Sequence, residues 1–111
     1  MPEFEDTLLL IKNQILDLAK TTVTDYAQQA AGEAEAFLES TKDKLKQWTE
    51  ELASGAIDKD EFLWLLNSQQ ALGQMKLLTQ AGLAQIAVDR FTIGVKTIVL
   101  DALMKLAGKM L

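Results

Sequence analysis

The sequence predicts an all-α protein: a long antiparallel helical hairpin of two helices, each roughly 50 residues, dimerising into a four-helix bundle. Three observations lead there: an eleven-residue apolar repeat in both halves of the chain, one well-capped turn between them, and more apolar surface than one hairpin can bury. The 111 residues suit a single domain, 1–111, with a helix over about 4–53, a turn over about 54–58 and a helix over about 59–110.

In the first half Phe4, Ile15, Tyr26, Phe37 and Trp48 recur every eleven positions. Leu8, Ile11, Ala19, Thr22, Ala30, Ala34, Thr41, Leu45 and Leu52 fill the stripe between them. An eleven-residue repeat advances about 3.67 residues per turn, close to the 3.6 of a straight helix and above the 3.5 of a left-handed coiled coil. The only proline, Pro2, lies ahead of the stripe, so no ring interrupts the helix.

The turn is marked by four signals. Gly55 can take the left-handed conformation that ends a helix. Asp58 is placed to accept from the free amides of the next N-terminus, with Glu61 three residues on as in a capping box. Ile57 and Phe62 bracket that cap as a hydrophobic staple.

In the second helix Leu77, Ala81, Ala84, Val88, Phe91, Val95, Val99, Ala102, Leu106 and Met110 repeat the same spacing. Folding the chain about residue 56 pairs positions whose numbers sum to about 112. This sets Trp48 near Trp64 and Phe4 near the Lys105–Lys109 end. It also faces Ala27, Ala30, Ala31, Gly32 and Ala34 with Leu78, Ala81, Gly82, Ala84 and Ala87, a waist of small residues. The competing arrangement is a monomer of four shorter helices, broken near Gly32 and Gly82 or at Ser40–Thr41. The stripes pass those points in phase, which favours the long helices.

A second apolar set lies off the main stripe: Leu65, Leu72, Met75, Leu83, Ile86, Ile93, Leu100 and Leu103, joined by Leu9 and Leu10 of the first helix. A monomer does not tolerate an exposed apolar strip of that length. These ten residues are therefore the expected interface of a homodimer. Gln69 and Gln80 fall at its edge, as rim residues or as a polar pair that fixes register.

Composition narrows the function classes. With 11 Lys+Arg against 16 Asp+Glu the chain is acidic and is not expected to bind nucleic acid. It contains neither His nor Cys, so the commonest general base, the commonest metal ligand and the thiol nucleophile are missing. Glu33, Glu35 and Glu39 read as a solvated helix face. Asp58, Asp60 and Glu61 do not form a calcium loop, whose twelfth position would be Gln69. Gly73, Gly82 and Gly94 lie within helical pattern, as sites of close helix packing or of local flexibility. The Trp48–Trp64 pair reads as a plug at the bundle end, and Arg90, Lys96, Lys105 and Lys109 as complements to a helix C-terminus.

No catalytic residue, cofactor or metal is expected. Without a basic, apolar leader or a long apolar span, a cytoplasmic location is expected. The expected function is a non-enzymatic structural or protein-interaction module. The alternative is an amphipathic helix that lies on a lipid or granule surface, disfavoured because acids outnumber lysines over residues 26–48.

Overall fold

The structure, a computed structural model, describes residues 2–68 and 85–110. Their elements are α1 (Pro2–Thr22), a short 3-10 turn (Thr24–Tyr26), α2 (Ala27–Ser54), α3 (Lys59–Asn67) and α4 (Gln85–Met110). The described residues are all-helical, but the two helices of about 50 residues are not present among them. The first stripe is carried by helices of 21 and 28 residues that fold back on each other. The break falls at Val23–Tyr26, away from Gly32 and Ser40–Thr41, which both lie inside α2.

The cause is local. Thr21, Thr22, Val23 and Thr24 are four successive β-branched residues, which lose side-chain freedom in a helix. The hydroxyls of Thr21 and Thr22 both donate to the Leu18 carbonyl, at 2.9 and 2.7 Å, a local bond that competes with helix continuation. Val23 makes the last regular bond, to the Ala19 carbonyl, and Thr24 then takes φ 30°.

The stripe itself marks the core. Phe4, Leu8, Ile11, Ile15, Ala19, Ala30, Ala34, Phe37, Leu45 and Trp48 are all buried. Thr41 is buried as well, its hydroxyl donating to the Phe37 carbonyl at 2.6 Å, and Thr49 donates likewise to Leu45 at 2.7 Å. These polar groups are satisfied within their own helix, so the core tolerates them.

At the second turn the expected chemistry is present. Gly55 has φ 83°, its N–H donates to Leu52, and the Ala56 N–H reaches back to Glu51 at 2.8 Å, forming a Schellman end. Asp58 accepts from the Glu61 N–H at 2.8 Å, Phe62 is buried, and Ile57 packs onto the core. α3 ends at Asn67, so the second half of the chain is also more than one helix. Leu77, Leu78, Ala81, Gly82 and Ala84 lie outside the described residues, as do Gly73, Gln69 and Gln80.

α1 lies against both α2 and α4. Its side chains pair with α2 through Lys12–Glu39 and Glu5–Lys42, so those two helices are antiparallel. Leu18 packs on Gly94, and Glu3 and Asp6 share a cleft with Leu106 and Lys109. These pairs sum to about 112, so the expected antiparallel register holds between α1 and α4. It does not hold for α2, which runs parallel to α4 because both oppose α1; most of the residues expected to face α2 at the waist lie outside the described residues.

Gly94 is small because a Cβ there would stand 2.4 Å from Leu18 Cδ2. The substitution Gly94→Leu should therefore force α1 and α4 apart and destabilise the protein by roughly 2–3 kcal/mol. Adding Leu18→Ala should restore part of that loss. Urea titrations of both variants read the effect, and simple additivity of the two changes would contradict the contact.

Candidate interaction surface

α4 turns Val88, Phe91, Val95, Val99 and Leu106 into the core. On its opposite side Ile86 and Ile93, seven residues and two turns apart, are 63% and 62% exposed. Leu100 continues the strip by another two turns but is buried, and Met104 beyond it is half-buried against the core. The outer strip is thus open at the N-terminal half of α4 and covered toward its C-terminal half. Exposed Asp89 and Arg90 and half-buried Lys96 flank the open part.

Leu9 and Leu10 of α1 are also exposed, at 59% and 52%. Neighbouring residues on a helix point about 100° apart, so the two lie on different flanks of α1. Leu10 lines an open cleft of about 240 Å³ with Glu3, Asp6, Thr7, Leu106 and Lys109, where the first turns of α1 meet the last turns of α4. Two carboxylates and one ammonium edge an apolar floor there. The arrangement places no activated nucleophile beside a base.

Of the ten expected interface residues, four are exposed: Leu9, Leu10, Ile86 and Ile93. Leu65 is half-buried against the core, and Leu100 and Leu103 belong to the chain's own core. Leu72, Met75 and Leu83 lie outside the described residues. The expected Trp48–Trp64 pairing is not formed. Trp48 instead meets Phe62 edge-on, with ring centroids 6.3 Å apart and planes at 81°. Trp64 points to solvent at 68% exposure, because α3 turns Phe62 and Leu66 inward and Trp64 sits on the reverse face. The helical period of α3 carried that information.

Compared with protein-family models, curated proteins and solved structures, the chain finds no match in any of the three. Among the described residues no helix is long and apolar enough to cross a membrane.

The charged groups between helices serve the fold. Glu39 bonds Lys12 at 3.0 Å and Glu5 bonds Lys42 at 2.8 Å, both at the surface; Glu33 is half-buried and Glu35 exposed. The hydrogen bond from Lys42 holds the Glu5 carboxyl below its ordinary value, and the same bond holds the Lys42 ammonium above its own. A lowered carboxylate value stabilises the fold above about pH 4.5, and the contribution is lost as pH falls through the folded value. A raised ammonium value stabilises below about pH 10.5 and is lost as pH rises beyond it. Replacing Lys42 by Met should remove this contribution at both limits, and added salt should shrink it in the unmodified chain. Urea melts on either side of the acid limit measure the difference.

Proposed function

We propose that this chain is a non-enzymatic protein-interaction module that self-associates as a homodimer through the open strip of α4. The observation that carries this reading is the pair Ile86 and Ile93, large apolar side chains both more than 60% exposed on one face of α4. Isolated exposed leucines are common on soluble proteins, whereas two β-branched residues aligned over two turns make a ridge that another helix can cover. An isologous contact places the ridge of one copy against that of the other, as two-fold symmetry requires. Burial of Leu100 and Leu103 within the monomer supports a reversible association over an obligate one, since less surface depends on the partner.

A second reading rests on Arg90 and Lys96 beside the same ridge, the arrangement by which interfacial helices meet anionic lipid. Against it, the inner face of α4 is committed to the core, leaving only the ridge to enter a bilayer.

Light scattering across a wide concentration range tests the first reading. The mass is expected to rise from 12.3 kDa toward twice that value. In protein folded at low concentration and never unfolded at millimolar concentration, the double substitution Ile86→Glu and Ile93→Glu should hold the mass at that of the monomer with an unchanged melt, because both side chains are exposed. A monomer at every concentration that nonetheless sediments with anionic vesicles would favour the lipid reading.

A further inference from the structure

We propose that the Val23–Tyr26 turn is a hinge through which two copies exchange α1, with α1 and α2 of each copy joined as one continuous helix. This goes beyond the self-association described above: it uses another element, leaves Ile86 and Ile93 uncovered, and shares only the identity of the partner.

Three independent features of the turn point to it. Thr24 is held at φ 30°, in the left-handed region that a β-branched residue disfavours, and no glycine relieves it. α2 begins at Ala27 with no side-chain hydrogen bond from its N-cap position, Tyr26, and no acid in its first turn. Its first amides and the last carbonyls of α1 would satisfy one another if the helix ran through. The apolar stripe also keeps phase across the break: Ala19 and Val23 before it and Ala27, Ala30 and Ala34 after it are all buried. A straightened helix therefore still presents a single apolar side.

The Gly55–Asp58 turn differs on the first two counts. Its left-handed residue is glycine, and its next helix is capped by a 2.8 Å bond from the Glu61 N–H to Asp58. Short, strained connections are the ones that open into exchanged dimers. In the exchanged form α1 of one copy takes the place between α2 and α4 of the other. Leu18 then packs on Gly94 of the partner subunit, and Lys12 reaches Glu39 of the partner subunit. Ala27, Ala30 and Ala31 next to the hinge let the two long helices cross closely.

The test uses the chain's lack of cysteine. Lys12→Cys and Glu39→Cys replace an ion pair across the α1–α2 contact and are joined by a short bis-maleimide linker. The protein is refolded from urea at millimolar concentration before linking, and read on a denaturing gel. Exchange predicts a covalent dimer, retained when Ile86→Glu and Ile93→Glu are added. Thr24→Gly in the same background relieves the closed turn by about tenfold per chain and should raise the dimer dissociation constant about a hundredfold. A dimer mass by light scattering with only monomer bands on the gel would overturn the exchange while leaving the α4 contact standing. Monomers with only internal links at every concentration would overturn both.

Discussion

Burial of the α1 stripe between α2 and α4 is the contact on which the other packing depends. Phe4, Leu8, Ile11, Ile15, Ala19 and Val23 contribute a continuous ridge along one side of α1, and each is nearly inaccessible to water. At about 25 cal/mol per Å² such burial is the main favourable contribution open to a protein with no disulfide. It also fixes direction. Because α2 and α4 both oppose α1, they run parallel, and their macrodipoles are offset by the helix between them. α3 is short, and its Phe62 and Leu66 close the end where α2 extends past the start of α1.

The two turns show what the sequence made legible and what it concealed. At Gly55–Asp58 every element is a side-chain or backbone requirement of one residue type: glycine for positive φ, aspartate for the free amides, apolar residues before and after. Such requirements can be read from single letters. At Val23–Tyr26 no residue is specialised for a turn, and the apolar phase is preserved because the reversal spans about one helical turn. Periodicity reports which side of a helix is apolar and is blind to a break that keeps the side. The signal that remained was the run Thr21–Thr24, weak residue by residue and informative only as a run.

The same blindness affected the outer residues. Leu65, Leu100 and Leu103 lie off the main stripe and so looked like surface available to a second copy. In the folded chain they face neighbours that a two-helix arrangement would not supply. Ile86 and Ile93, by contrast, lie on the strip where such cover ends, and no composition or spacing in the sequence separates them from Leu100. The α1–α4 register was legible for a simpler reason. A chain that returns antiparallel about its middle pairs its ends whether or not each arm bends, and Leu18 on Gly94 is that pairing seen at close range.

This topology bears on synthesis of the chain. α1 and α2 are neighbours in sequence and can zip together early, since closing a short connection costs little entropy. The third wall of their groove is α4, made from residues 85–110. Until that segment leaves the ribosome, half of the α1 stripe has no cover, and the growing chain displays an apolar trough the length of α1. The order of translation thus opens an interval in which the nascent polypeptide carries the exposed apolar surface that chaperones recognise, and slower elongation lengthens it.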